Sequence, residues 1–199
     1  LLVNEGVDKS GPLVGISVRK FPGRPKYRSE KYEEVIALTA DYLQEKYGVK
    51  PVFIPMQYDD LSVIDGVIAK MKTKGYVIRN RYSVAQTIGI IGKMEMVIGM
   101  RLHALIFAAG QSIPIVGLVY DPKIEGFLEY VNQASAGSVK ELDFYRLRDI
   151  SERVWNNRNE IREKLKDDVA MLKERALRNA SIAIDLIENN RPISKGSDV

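Results

Sequence analysis

The chain of 199 residues contains one histidine, and it stands two places after an arginine in Gly99-Met100-Arg101-Leu102-His103. An arginine is a planar, permanently charged donor whose two prongs match a phosphate or a carboxylate. A histidine can give or take a proton near neutrality. The segment therefore reads as an anion binder with a proton-transfer group beside it. Residues 102–109 that follow are apolar and helical in character, closed by Gly110, and residues 95–99 before them read as a strand. Gly99 would allow a sharp turn between the two. The first N–H groups of such a helix have no partner within it, and the helix dipole makes that end positive. A strand–helix junction of this kind holds anions. Because the helix is apolar we expect it to be buried, and a buried Arg101 and His103 then call for an anionic partner. The bland alternative is a helix-start histidine with no chemistry.

Other cations and polar groups fall at the ends of further predicted strands. Arg19 ends the apolar run 13–18 and leads into a Pro/Gly-punctuated loop, 21–25, and is followed by Lys20, Arg24, Lys26 and Arg28. A solvated loop arginine explains it equally well. Arg79 and Arg81 end the run 76–78. Gln57 follows the run 51–55 and could bind a sugar hydroxyl, while Asp59 or Asp60 would cap the next helix. Asp121 reads as a helix cap and Lys123 as a solvated helix residue, both at the edge of the same site. No Gly-x-Gly-x-x-Gly follows the first strand and no Gly-Lys-Ser/Thr phosphate loop occurs, which argues against nicotinamide dehydrogenases and phosphate-loop nucleotidases. With one histidine and no cysteine, no structural metal site is expected.

These residues need a scaffold that gathers strand ends. Apolar runs at 13–18, 51–55, 76–78, 95–99 and 113–120 alternate with helical patterns at 29–48, 61–71, 83–91, 102–109 and from Asp121-Pro122 onward. This predicts an α/β domain of the Rossmann-like kind, a parallel sheet with helices on both faces. Right-handed crossovers put every strand-to-helix loop on one edge, where such sheets bind ligands. Residues 1–11 read as a linker, 12–146 as the α/β core, 147–190 as C-terminal helices and 191–199 as a frayed tail. The apolar stripe Ile161, Leu165, Val169, Leu172, Ala176, Ala180, Ala183 and Ile187 predicts a long last helix packed back over the domain.

Composition sets the outer bounds. Hydrophobic residues make up 45% and charged residues 28%, enough for the core and surface of one domain. There is no apolar run of membrane-spanning length and no secretory signal pattern. The absence of cysteine fits a reducing compartment. Net charge of +4 is a mild bias. The basic helical stretch 146–178 carries many acids as well and reads as a solvated face, with docking to an anionic membrane as the minority alternative. Basic residues are not interleaved with aromatics, so no nucleic-acid partner is expected. The chain begins with Leu1 and a polar segment, as a piece cut from a longer protein would, so part of a functional site is expected elsewhere.

Residues 97–108, together with Pro114-Ile115-Val116-Gly117 and Tyr120-Asp121-Pro122-Lys123, resemble the polysaccharide pyruvyl transferase family, most closely its CsaB type. Gly15-Ile16-Ser17-Val18-Arg19 and Ile54-Pro55-Met56-Gln57 are similar to the same pattern. The resemblance implies the C-terminal half of a glycosyltransferase-B-like enzyme with two Rossmann-like halves. It implies transfer of the pyruvyl group of phosphoenolpyruvate to a sugar as a cyclic ketal, with no cofactor and no metal. The implied acceptor is a lipid-linked, N-acetylmannosamine-containing disaccharide, a precursor of cell-wall polymers that anchor surface-layer proteins. The implied setting is cytoplasmic, with peripheral contact with the inner face of the membrane as an option. Arg19 and Arg101 would clamp the donor's phosphate and carboxylate, aided by the helix start at Leu102. His103 would be general acid toward the enol methylene, or else base toward the sugar hydroxyl, and Gln57, Asp121 and Lys123 would line the substrate. Two other readings compete. One is a glycosyltransferase half that holds a nucleotide-sugar diphosphate, and the other is a non-catalytic domain that binds anions or membranes.

Overall fold

The computed structural model describes residues 1–20 and 26–189. Its centre is a six-stranded, all-parallel sheet in the order β3-β2-β1-β4-β5-β6. The strands are β1 (Leu13–Ser17), β2 (Lys50–Phe53), β3 (Tyr76–Val77), β4 (Met96–Gly99), β5 (Ile115–Val119) and β6 (Ala134–Ser138). Helices α1 (Lys26–Tyr47), α2 (Asp60–Ile68), α3 (Val84–Ile91), α4 (Leu102–Gly110) and α5 (Pro122–Tyr130) connect them, and α6 (Phe144–Asn156) and α7 (Arg158–Asn189) follow β6. β1 lies at the middle, with Ile16 paired to Phe53 of β2 on one side and to Ile98 of β4 on the other.

Continuous apolar strands demand cover on both faces, and two apolar clusters provide it. On one face Ile36, Ala40 and Leu43 of α1, Ile64 and Val67 of α2, and Leu147 and Trp155 of α6 pack on Val14, Ile16 and Ile98. On the other, Ile91 of α3, Leu105 and Ala108 of α4, Leu128 of α5 and Leu165 of α7 pack on Val97 and Ile115. Helix α1 is further tied to α6 through Glu152, whose carboxylate accepts bonds from Lys46, from the Tyr42 hydroxyl at 2.8 Å and from the Tyr47 hydroxyl at 2.6 Å. The Lys46 bond and then those two hydroxyls hold the Glu152 carboxyl at about 2.

The structure differs from the sequence reading in several places. Residues 1–11, expected as a linker, include a 3-10 helix (Leu2–Glu5), and Leu2 and Val7 are buried against the α3/α4 face. Helix α1 already runs at Ser29, where a helix start was expected, and the loop expected at 21–25 lies outside the described residues. β6 was not anticipated, because Ala134-Ser135-Ala136-Gly137-Ser138 lacks the β-branched apolar pattern of a strand. Neither Asp59 nor Asp60 caps α2. Asp59 occupies the cap position without a side-chain bond, and Asp60 is engaged elsewhere, as described below. The long last helix packs back only over its first half. Leu165 and Val169 are buried, whereas Leu177, Ile182 and Ile187 are exposed. The tail expected at 191–199 lies outside the described residues.

Candidate functional site

The turn from β4 into α4 is fixed from both sides. The Met100 N–H donates to the Ser17 carbonyl of β1 at 2.8 Å, and the Leu105 N–H donates to the Arg101 carbonyl at 3.1 Å. Gly99 is needed for space, not for an unusual turn. A Cβ there would stand 2.8 Å from Leu105 Cδ2, so the glycine lets α4 start close to the sheet. Arg101 is the cap residue of α4 in extended conformation, and its side chain accepts no capping bond. The opening N–H groups of α4 thus face the strand-end edge without a side-chain cap.

The Arg101 side chain turns across β1 to the loop after β2. Its Nε donates to Asp60 Oδ2 at 3.0 Å and its Nη2 donates to Asp60 Oδ1 and, at 2.8 Å, to Gln57 Oε1. Asp60 is 0% exposed, and its Oδ2 also accepts from the Met56 N–H at 3.2 Å and the Gln57 N–H at 3.0 Å. The anionic partner that the sequence led us to seek in a substrate is thus supplied by the chain itself, forty-one positions away. Arg101 Nη1 makes no hydrogen bond among the described residues and remains free to donate. Gln57 spends its side-chain oxygen on Arg101.

His103 is exposed, contrary to the expected buried helix start, and its ring lies 6.3 Å from that of Phe107 one turn on. Both Arg101 and His103 line one cleft of about 620 Å³ over the carboxyl ends of β2 and β3. Among the described residues that line it are three arginines, Arg79, Arg81 and Arg101, the histidine, and no carboxylate. Ile54, Ile78, Ile90 and Phe107 supply its apolar surface. Arg79 is paired with Asp65 at 2.5 Å. Arg81 packs over the exposed Tyr58 ring at 5.6 Å and has no carboxylate partner among the described residues.

One wall of the cleft, residues 79–82, is held by Glu5 of the N-terminal 3-10 helix. Its carboxylate accepts from the backbone N–H of Arg79 at 2.9 Å and of Asn80 at 3.1 Å, from the Asn80 amide at 2.6 Å and from the Tyr82 hydroxyl at 2.8 Å. Burial alone would raise the Glu5 carboxyl, but these four donors together hold it below the ordinary 4.5. The same contact raises the Tyr82 hydroxyl, chiefly through its hydrogen bond to Glu5.

Arg19 is not among the residues lining this cleft. Its guanidinium stacks on the Tyr120 ring at 4.5 Å, at the ends of β1 and β5. Lys123 approaches the same ring at 5.8 Å and Asp121 at 3.7 Å. Asp121 caps α5 by accepting from the Lys123 N–H at 3.1 Å. The structure therefore gathers Gln57, Arg101 and His103 in one place, with Leu102 opening α4 beside them, and gathers Arg19, Asp121 and Lys123 in another around Tyr120. Sequence reading missed Glu5, which belongs to no motif, and placed Tyr58 on this edge without giving it a role. Among the described residues no three His, Asp or Glu side chains are grouped to hold a metal ion, and no helix is long and apolar enough to cross a membrane.

Comparisons with known proteins bear on the family and the fold. A family model described as polysaccharide pyruvyl transferase matches residues 4–122. No curated protein sequence matches the chain. Among solved structures, S. aureus MnaA, in a structure with UDP, superposes with a TM-score of 0.59 at 10% identity, covering 82% of this chain and 41% of its own. A family 9 glycosyl transferase from Veillonella parvula DSM 2008 gives 0.58 at 16% identity, over 78% of this chain and 49% of its own. The C-terminal domain of a group 1 family glycosyl transferase from Francisella tularensis gives 0.58 at 15% identity, over 80% of this chain and 85% of its own. These likenesses show the fold, that of a Rossmann-like domain of glycosyltransferase-B type. The chain spans less than half the length of the first two.

Proposed function

Because this chain belongs to the polysaccharide pyruvyl transferase family, we propose that it binds phosphoenolpyruvate and takes part in moving its pyruvyl group onto a sugar as a cyclic ketal. One observation carries the reading. An exposed histidine shares a cleft with Arg101 at the start of α4, and no carboxylate lines it among the described residues. A donor with a phosphate and a carboxylate requires cations and excludes acids.

In this reading the donor lies at the start of α4. The free edge of Arg101 and the first N–H groups of the helix hold one of its anionic ends. Arg19 and Lys123, from the neighbouring strand ends, hold the other. Gln57 keeps Arg101 in place, and Leu102 and Asp121 border the substrate. His103, as imidazolium, protonates the enol methylene carbon, leaving a cationic centre at C2. A sugar hydroxyl adds to C2 and its proton returns to the imidazole. The C2–O bond to phosphate then breaks, phosphate departs with the electron pair, and a second hydroxyl closes the ketal as its proton passes to the departing phosphate.

The enzyme is of the CsaB type, and this chain is its C-terminal half, which the likeness to a C-terminal glycosyl transferase domain supports. The acceptor is a lipid-linked precursor of a cell-wall polysaccharide, met at the inner face of the membrane in the cytoplasm. The donor is the only small molecule besides the acceptor, with no cofactor or metal. Calorimetry with phosphoenolpyruvate on the wild type, Arg101→Lys and His103→Ala tests the reading. Binding by the wild type and by His103→Ala, with loss in Arg101→Lys, is expected. No binding of phosphoenolpyruvate alongside binding of a nucleotide-sugar would replace it with the glycosyltransferase reading.

A further inference from the structure

The cleft is larger than its donor needs. A three-carbon phosphate ester fills only part of about 620 Å³, a size that ordinarily suits a drug-sized ligand. Of the donor contacts argued above, only Arg101 and His103 line this cleft, where α4 begins. The cleft is also lined by Tyr58, Arg79, Asn80, Arg81 and Tyr82, and none of these has a place in the donor mechanism.

Arg81 differs from its neighbours. Arg79 spends charge on Asp65 and Arg101 on Asp60. Arg81 packs over Tyr58 at 5.6 Å and makes no hydrogen bond or ion pair among the described residues. Stacking on an aromatic face orients a guanidinium without occupying its N–H groups. The backbone on either side is held as well, since Glu5 binds the N–H groups of Arg79 and Asn80 and the hydroxyl of Tyr82. An oriented cation with no carboxylate partner among the described residues, on a fixed loop next to exposed aromatic and apolar surface, suits a phosphate group attached to something with a flat or apolar part.

We propose that Arg81, with Tyr58 beside it and Glu5 as the residue that positions its loop, forms a second anion subsite that takes the diphosphate of an activated sugar. The identification of that ligand as the acceptor rests on the function proposed above. The anion subsite itself does not. Diphosphate-activated sugars are carried either on a nucleoside or on an isoprenoid lipid, and both present the same group to Arg81.

Calorimetry on the full chain with inorganic pyrophosphate, alone and in saturating phosphoenolpyruvate, tests the assignment. We expect pyrophosphate to bind in both conditions. Arg81→Ala should weaken it by roughly tenfold to a hundredfold, the effect of one or two charge-assisted hydrogen bonds. Glu5→Gln should weaken it less, and phosphoenolpyruvate affinity should be unchanged in Arg81→Ala. Arg81 is exposed, so this variant keeps the fold. Parallel titrations with uridine diphosphate and geranyl diphosphate tell the carriers apart, the tighter of the two naming the source. Equal pyrophosphate affinity in wild type and Arg81→Ala, no pyrophosphate binding, or displacement of pyrophosphate by phosphoenolpyruvate would overturn the subsite. If phosphoenolpyruvate fails to bind while pyrophosphate binds through Arg81, the subsite stands and the proposed reaction falls.

Discussion

Arg101 and Asp60 meet across a strand that belongs to neither. Arg101 follows β4 and Asp60 opens α2 after β2, while β1 runs between them, and the guanidinium spans the gap to form two hydrogen bonds with the carboxylate. The pair is nearly sealed, with side-chain exposures of 12% and 0%.

Removing one partner strands the other. Arg101→Ala leaves the Asp60 carboxylate buried and unpaired, and should lower unfolding free energy by about 3–5 kcal/mol. Denaturant unfolding measures this, and Arg101→Gln combined with Asp60→Asn should recover part of the loss. A cost below about 1 kcal/mol for Arg101→Ala would show that water reaches Asp60. The same reasoning makes the lysine variant the better probe of donor binding.

His103 is exposed and makes no hydrogen bond among the described residues, so His103→Gln should change stability by less than about 0.5 kcal/mol. Ketal formation by the complete enzyme should fall by roughly 10²- to 10⁴-fold, the usual contribution of a general acid or base. Calorimetry should find phosphoenolpyruvate affinity little changed in the same variant, and a loss of affinity that matches the loss of turnover would assign His103 to donor binding instead.

Acid should loosen the wall of residues 79–82. The Glu5 carboxyl is held below 4.5 in the folded chain, so its stabilising contribution is complete above that ordinary value and is lost as pH falls through the lowered one. The difference in thermal midpoint between wild type and Glu5→Gln should be constant from neutral pH down to about pH 5 and shrink below it. A difference that grows on acidification would contradict the assignment.

Gly99→Ala tests how closely α4 must approach the sheet. The added methyl group meets Leu105 Cδ2 at 2.8 Å, and the overpacking should cost about 1–3 kcal/mol. Because the same shift moves the start of α4, phosphoenolpyruvate affinity should fall as well. Leu105→Ala in the Gly99→Ala background makes room and should restore that affinity, at the expense of a smaller core.

Sequence alone showed the parts of this molecule whose cause is local. The apolar runs of β1, β4 and β5 and the Ser83 cap of α3 are written in neighbouring residues, and so is the strand–helix junction at Gly99-Met100-Arg101-Leu102-His103. β6 was hidden because its small residues are held by pairing with β5, from Val116 with Ala134 onward. The partner of Arg101 was hidden because forty-one positions separate the pair. Asp60 looked like a helix cap, which is the role its local context favours. Glu5 was hidden for the same reason, as it reaches residues more than seventy positions ahead. The stripe of α7 was legible as apolar, but its pattern does not reveal where the domain beneath it ends.

The Arg101–Asp60 link also bears on how strongly any ligand can be held. It joins the loops after β2 and β4 into a crossbar that exists before a guest arrives, so little freedom is left to surrender on binding. Affinity at the α4 end should then be governed by stripping water from charges, and should weaken steeply as salt is added. Titrations at rising ionic strength would display that dependence, and they would leave the shape of the empty cleft unaltered.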